Sequence, residues 1–190
     1  MTAMHETRVG MSSGATPWLV AFAGEAGSGK STLSRALGRR LRWPVVDKDD
    51  IKDILHGHTV APNAGPLAYD AMFNVARRQL LLGLSVICDS PLTGGAWHAA
   101  QVAAETGAMQ AVVACRCPDD AVWRARINAR KSLGLPSHHQ TDWDTMQAQR
   151  GPDPLPLHAA EAVDHPYLLI DTLAPIEDLC DRVIAWLARQ

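Results

Sequence analysis

The run of residues 24–31, Gly-Glu-Ala-Gly-Ser-Gly-Lys-Ser, fits the phosphate-binding loop pattern G-x-x-x-x-G-K-[ST]. The apolar stretch Trp18–Ala23 precedes the loop and is typical of a buried parallel strand. After the loop, Leu33, Leu37 and Leu41 recur at helical spacing. A strand, a glycine-rich loop and a helix in this order indicate a polyphosphate site, and a chance glycine-rich turn before a helix is the alternative.

The residue types of the loop predict its contacts. Glycines allow backbone N–H groups to turn toward a polyphosphate, and the start of the following helix adds partial positive charge. We expect Lys30 to reach the terminal phosphates and the Ser31 hydroxyl to bind Mg²⁺. The predicted nucleotide contacts in this segment are Gly24, Ala26, Gly27, Ser28, Gly29, Lys30, Ser31 and Thr32.

Composition favours one compact enzyme domain. The chain has 190 residues, of which 47% are hydrophobic, and a formal net charge of −2. With 18 basic and 20 acidic side chains there is no general basic field, so nucleic acid is not expected as a partner. We see neither a membrane-spanning stretch nor a secretion signal, and therefore expect a cytoplasmic protein. Nothing in the sequence decides between a monomer and a dimer.

Residues 1–16 lack periodicity and are interpreted as a disordered leader, followed by one domain over residues 17–190. Within that domain the expected strands after the first are Val45–Val46, Leu84–Cys88, Met109–Cys115 and Tyr167–Ile170. The expected helices after the first are Asp49–His56, Leu67–Leu82, Thr93–Thr106, Pro118–Arg130, a short one near Asp142–Gln149 and Pro175–Arg189. Residues 57–66 are interpreted as a loop, and residues around 124–156 as a mobile lid.

This alternation of strands and helices predicts an α/β fold with three layers. An open parallel sheet would be covered by helices on both faces, with ligands bound at the carboxyl ends of the strands. The four cysteines lack zinc-ligand spacing, so we interpret them as buried, reduced thiols. The adjacent His138 and His139 are interpreted as loop surface.

Absent motifs narrow the class of phosphate-loop protein. A GTPase would carry an Asn-Lys-x-Asp string and an Asp-x-x-Gly switch, and neither occurs. An ATPase usually ends a strand with Asp followed by Glu, whereas here Asp89 is followed by Ser90. A phosphoryl transferase instead needs a carboxylate near the acceptor hydroxyl and arginines that neutralise the transferring group.

Candidate carboxylates follow the second expected strand, in the segment Val-Val-Asp-Lys-Asp-Asp-Ile. We predict that Asp47 and Asp49, two apart in extended chain, point together into a cleft while Lys48 points away. Asp49 is our first choice as general base, with Asp47 in contact with substrate or Mg²⁺. Asp50 is an alternative base, although an acidic first helical turn also explains it. Asp89 could contact Mg²⁺ through water or orient the substrate, or simply cap a turn.

Candidate arginines lie on the helix after the fourth expected strand. Arg126 and Arg130 are four residues apart and share a helical face, with Arg124 nearby. A guanidinium group can bind phosphate oxygens through two bonds and stays charged, which suits a catalytic role. A solvated basic face is the alternative.

Taken in order, G-x-x-G-x-G-K-S, V-V-D-K-D-D-I, V-I-C-D, R-I-N-A-R and L-I-D-T resemble the small P-loop kinases. The resemblance is to the group with zeta toxins, chloramphenicol phosphotransferase and the kinase domain of polynucleotide kinase, and more distantly to shikimate and gluconate kinases. It implies a P-loop NTPase fold with a five-stranded parallel sheet as in nucleoside kinases, and ATP and Mg²⁺ as cofactors. It also implies an aspartate base at Asp49, lid arginines at Arg126 and Arg130, and an adenine near Asp171 and Thr172.

The acceptor is the least constrained part of the prediction. Between Trp43 and Met72 the chain has no arginine to bind an anionic group, although Arg77 or Arg78 could turn toward the cleft. We therefore expect a neutral or amino-bearing small-molecule alcohol, such as a sugar or an antibiotic. Two alternatives stay open, namely a polynucleotide 5′-hydroxyl kinase and an ATP-binding regulator without transfer activity.

Overall fold

A computed structural model describes residues 15–56, 58, 61–92, 96–132, 134, 142–149 and 165–190. The predicted leader lies almost wholly outside these residues, as do His138, His139 and much of the predicted lid.

The described chain alternates strands with helices. Its strands are β1 Trp18–Ala23, β2 Val45–Asp47, β3 Val86–Asp89, β4 Met109–Arg116 and β5 Tyr167–Asp171. Its helices are α1 Lys30–Leu41, α2 Lys48–His56, α3 Ala61–Leu81, α4 Ala96–Thr106, α5 Asp120–Lys131, α6 Trp143–Gln149 and α7 Ile176–Leu187.

The strands form one parallel sheet in the order β2-β3-β1-β4-β5, which confirms the predicted five-stranded architecture. Because β1 lies at the centre and all pairings are parallel, the carboxyl ends of all five strands meet at one edge of the sheet. The segments that follow β1, β2 and β5 are therefore brought together there, as expected for ligand sites in such sheets.

Side chains alternate between the two faces of the sheet, since successive strand residues point in opposite directions. Leu19 and Ala21 of β1 pack with Phe73 of α3 and with α4. Val20 and Phe22 pack on the other face, where α1 and α7 supply the buried leucines Leu33, Leu37 and Leu179. Every one of these residues is at most 2% exposed, so the central strand is covered on both sides.

Several element boundaries differ from the prediction by one or two residues, and the starts of α2 and α3 differ for reasons that the structure shows. Helix α2 begins at Lys48 because the Asp47 carboxylate Oδ1 accepts the backbone N–H of Asp49 at 2.9 Å and so caps the helix. Helix α3 begins at Ala61, so the interpretation of residues 57–66 as a loop was wrong from residue 61 onward. Pro66 lies in the second turn of α3, where its missing N–H removes one hydrogen bond of the helix.

The four cysteines are free and buried, as predicted. Burial raises the pKa of the Cys88 thiol and of the Cys115 thiol to about 12, so both stay protonated at neutral pH. Among the described helices, none combines the length and the apolar character that a membrane crossing requires.

Gly38 provides a test of the packing between α1 and β2. A Cβ atom at this position would collide with Cγ2 of Val45 and lie 3.1 Å from the carbonyl oxygen of Trp43. We expect Gly38→Ala to lower the free energy of unfolding by about 1–3 kcal/mol through overpacking, despite the better helix propensity of alanine. Gly65→Ala in α3 is the comparison variant, because no atom outside its chain neighbours and its own helix backbone lies within 4 Å of its Cβ position. Its effect in urea denaturation should stay within about 1 kcal/mol, since Pro66 disfavours a helical alanine before it and offsets the gain in helix propensity. Equal losses for the two changes would contradict this packing.

Candidate functional site

A cavity of about 780 Å³ opens at the carboxyl edge of the sheet. Its walls come from the phosphate loop, the first turns of α1 and α2, one face of α5 and the turn between β5 and α7. The lining residues with polar or charged side chains are Lys30, Ser31, Thr32, Arg35, Arg39, Asp47, Asp49, Asp50, Asp53, Arg126, Arg130 and Thr172.

The phosphate loop forms one end of the cavity. Gly27 and Gly29 line it with φ of 75° and 94°, a left-handed conformation that glycine adopts without strain. Lys30 begins α1, and its ammonium group donates to the carbonyl oxygen of Glu25 at 3.3 Å. The first turn of α1 thus presents positive charge to the cavity. Of the other predicted nucleotide contacts, Ser31 and Thr32 line the cavity, whereas Gly24, Ala26 and Ser28 do not.

Two side chains from other elements hold the outer side of the loop. The indole Nε1–H of Trp123 on α5 donates to the carbonyl oxygen of Ala26 at 2.7 Å. The hydroxyl of Thr172, after β5, donates to the carbonyl oxygen of Ser28 at 2.6 Å. Trp123 is 1% exposed and Thr172 is 5% exposed, so both bonds are shielded from water.

The acidic segment after β2 differs from the predicted geometry. The strand ends at Asp47 and the helix starts at once, so Asp49 is helical rather than extended. Lys48 does not point away into solvent. It is 7% exposed, with its ammonium nitrogen 3.3 Å from Oδ1 of Asp49 and 5.1 Å from the ring centre of Tyr69. Asp47 and Asp49 still share the cavity, because the cap at Asp47 brings the two residues together.

Asp47 is the most perturbed carboxyl group of the site. Burial, and then the negative charge of Asp89, raise its pKa to about 6. Arg35 lies 3.0 Å from Oδ2 of Asp47 and opposes this shift, but its side chain is 53% exposed and water weakens its field. Any bound cation would therefore favour the ionised form of Asp47.

Asp89 lies beneath the cavity rather than on its surface. It is 1% exposed and pairs in register with Asp47 on the neighbouring strand. The hydroxyl of Ser34 donates to Oδ2 of Asp89 at 2.8 Å and lies 3.3 Å from the carbonyl oxygen of Ser31. Carboxylate and hydroxyl oxygens are the ligands that Mg²⁺ prefers, so the chemistry of these side chains fits the cation.

Both predicted arginines of α5 line the cavity. The guanidinium group of Arg126 donates from Nη1 to the Thr172 hydroxyl and from Nη2 to its carbonyl oxygen, each at 2.9 Å. Nη2 of Arg130 lies 3.6 Å from Oδ2 of Asp49. Arg124 instead lies over the ring of Trp143, with its guanidinium carbon 5.8 Å from the ring centre.

The segment after β5 places Thr172, not Asp171, in the cavity wall. The carboxylate Oδ1 of Asp171 accepts the backbone N–H of Leu173 at 3.0 Å and so stabilises the turn. Farther away, Arg77 is 3.4 Å from Glu105 in the groove between α3 and α4 and does not line the cavity. A tryptophan at this position of a helix is expected in the core, but Trp97 of α4 is 64% exposed.

The sequence reasoning missed Arg35 and Arg39, which line the cavity from α1. Their signal was present, since Ser31, Arg35 and Arg39 follow one another at intervals of four residues and must share a helical face. The contacts of Trp123 and Thr172 with the phosphate loop had no comparable signal in the sequence, because each joins residues about a hundred or more positions apart.

Comparison with solved structures supports the fold. A candidate kinase from Chloroflexus aurantiacus aligns with a TM-score of 0.71 and 23% identity, over 90% of this chain and 98% of that one. APS kinase of Mycobacterium tuberculosis, in complex with AMPPNP and APS, aligns with a TM-score of 0.61 and 19% identity, over 92% and 99%. A gluconokinase from Sinorhizobium meliloti gives 0.56 and 17%, over 93% and 94%.

A search of curated proteins found no match. The family model described as an AAA domain matches residues 19–152, which is more than half of the chain. The matched range holds the phosphate loop, the acidic segment after β2, and α5 with its two arginines. By this match, the chain belongs to the AAA domain family.

Proposed function

We propose that the protein is an ATP-dependent kinase that transfers the γ-phosphoryl group to a hydroxyl group of a small molecule. The observation that carries this proposal is the shared cavity. It holds Lys30 of the phosphate loop, the carboxylate of Asp49 and the guanidinium group of Arg130 together. The likeness in fold to solved kinases of small molecules supports the same reading.

In the proposed reaction the acceptor oxygen forms a bond to the γ-phosphorus, and the bond from that phosphorus to the bridging oxygen of ADP breaks. Asp49 accepts the hydroxyl proton, because its side chain is 29% exposed and reaches the cavity. Lys30 stabilises the charge on the phosphate oxygens. Arg130 lies 3.6 Å from Asp49 and can stabilise the transferring group from the acceptor side.

Ser31, Asp47 and Asp89 would hold Mg²⁺ near the phosphates. When bound, the cation would neutralise part of the charge on the phosphate oxygens. The raised pKa of Asp47 agrees with this role, since a carboxylate that is buried beside another carboxylate gains most from a cation.

The charges of the cavity favour an acceptor that is not an anion. Arg35 and Arg39 of α1 add positive charge to the cavity, although the segment from Trp43 to Met72 has no arginine. Arg35 lies 3.0 Å from Asp47 and 3.9 Å from Asp50, so its charge is partly neutralised. Four aspartates line the wall near the start of α2: Asp47, Asp49, Asp50 and Asp53. A sugar or antibiotic alcohol, neutral or amino-bearing, therefore fits better than a polynucleotide 5′-end, whose phosphates these carboxylates would repel.

Lys30→Ala tests the phosphate site. We expect kcat/KM for ATP to fall at least about 100-fold, because the variant lacks the ammonium group that stabilises the charge developing on the phosphates. Lys131 on α5 is exposed and does not line the cavity, so Lys131→Ala is the control and should retain wild-type kinetics. Coupled measurement of ADP release gives the result, and an unaffected Lys30→Ala enzyme would refute the phosphate-loop assignment.

Asp49→Asn tests the general base. The rate of transfer should fall about 10²- to 10⁴-fold while ATP binding, measured by calorimetry, stays within a few-fold of wild type. Asp47→Asn and Asp50→Asn are measured beside it. If transfer survives in Asp49→Asn and is lost in one of the other two variants, that residue is the base.

The acceptor class requires a direct assay. The wild-type protein is incubated with ATP and Mg²⁺ and with sugars, aminoglycosides, other hydroxylated antibiotics, nucleosides, nucleoside monophosphates and 5′-hydroxyl oligonucleotides. Mass spectrometry then detects the gain of one phosphoryl group. We expect it on a neutral or amino-bearing alcohol. Phosphorylation of an oligonucleotide or a nucleoside monophosphate would overturn the acceptor class, and tight ATP binding without any product would favour the regulator.

A further inference from the structure

The hydroxyl proton of Thr172 has two carbonyl acceptors within reach. Arg126 donates to the hydroxyl oxygen at 2.9 Å, so the hydroxyl must direct its own proton elsewhere. The carbonyl oxygen of Arg116 lies 3.1 Å away and also accepts the backbone N–H of Thr172 at 3.0 Å, so it is the longer and shared acceptor. The carbonyl oxygen of Ser28 is closer, at 2.6 Å. Arg126 thereby orients the Thr172 hydroxyl toward the phosphate loop.

The peptide group between Ser28 and Gly29 is consequently held in one orientation. A trans peptide directs its C=O and its N–H to opposite sides, and no cis peptide occurs in the described chain. Because the C=O of Ser28 is bonded to Thr172, the N–H of Gly29 points away from Thr172. Gly29 lines the cavity at the start of α1, where an N–H group would meet a phosphate oxygen.

The same relation holds two peptide groups earlier in the loop. The C=O of Ala26 is bonded to the indole of Trp123, so the N–H of Gly27 points away from α5. A Cβ atom on Gly27 would lie 2.8 Å from Cγ1 of Ile127 and 3.0 Å from Cδ1 of Trp123, which shows how closely α5 supports the loop.

These bonds matter because glycine itself imposes little on the backbone. A peptide group beside a glycine can rotate at low cost, and a rotation would turn the N–H away from a bound phosphate. We propose that Trp123 and Thr172 are positioning residues that aim the N–H groups of Gly27 and Gly29 at the phosphates of the nucleotide. This inference rests on the proposed nucleotide binding, and it extends the phosphate site to α5 and to the turn after β5.

The test compares Thr172→Val with Thr172→Ser. Valine keeps the shape of threonine but removes the hydroxyl, whereas serine keeps the hydroxyl. Calorimetry with MgATP and with magnesium tripolyphosphate should show about tenfold weaker binding of both ligands to Thr172→Val, since one phosphate contact loses its fixed direction. Thr172→Ser should recover most of the affinity. Because tripolyphosphate has no adenine, a parallel loss for both ligands locates the effect at the phosphates.

Trp123→Phe provides a second variant that keeps an aromatic ring and removes the indole N–H. It should also weaken tripolyphosphate binding at a temperature where thermal unfolding shows the variant to be folded. If both Thr172→Val and Trp123→Phe bind tripolyphosphate as tightly as wild type, the inference is overturned. If wild type binds ATP but phosphorylates no acceptor, only the kinase proposal fails. If wild type binds neither ligand, both fail.

Discussion

Parallel pairing on both sides of β1 is the constraint from which the site follows. Because β1 lies between β3 and β4, the loop after it emerges at the centre of the sheet's carboxyl edge. Asp47 on β2 and Asp89 on β3 end in register beside each other, and Thr172 follows β5 at the same edge. This arrangement of the strands brings side chains from positions 30, 49, 126 and 172 to one cavity.

The cavity has two chemically different walls. On one side Lys30 and the start of α1 offer positive charge and backbone N–H groups, which suit phosphate. On the other side the start of α2 offers carboxylates, which suit proton transfer from a hydroxyl group. Arg130 of α5 lies between these walls, near Asp49. This separation of charge supports the proposed transfer between two bound molecules.

The support of the phosphate loop comes from elements that are remote in sequence. Trp123 and Thr172 take no part in the proposed chemistry. Each donates a hydrogen bond to a carbonyl oxygen of the loop, and both side chains are largely shielded from water. A hydrogen bond with a buried donor is effective, because the low dielectric of its surroundings strengthens it. The loop's conformation is therefore a property of the whole carboxyl edge and not of its own glycines alone.

The sequence by itself determined three features: the succession of strands along the chain, the phosphate loop with Lys30 and Ser31, and the helical face shared by Arg126 and Arg130. All three are local patterns of spacing. It was wrong about the backbone conformation of Asp49 and the direction of the Lys48 side chain, because the cap by the Asp47 side chain starts α2 earlier than periodicity indicates. Only the tertiary structure decided the partners of Arg126, the buried position of Lys48 and the contacts of Thr172. These depend on which strand ends are adjacent in the sheet, and no local spacing in the sequence encodes that adjacency.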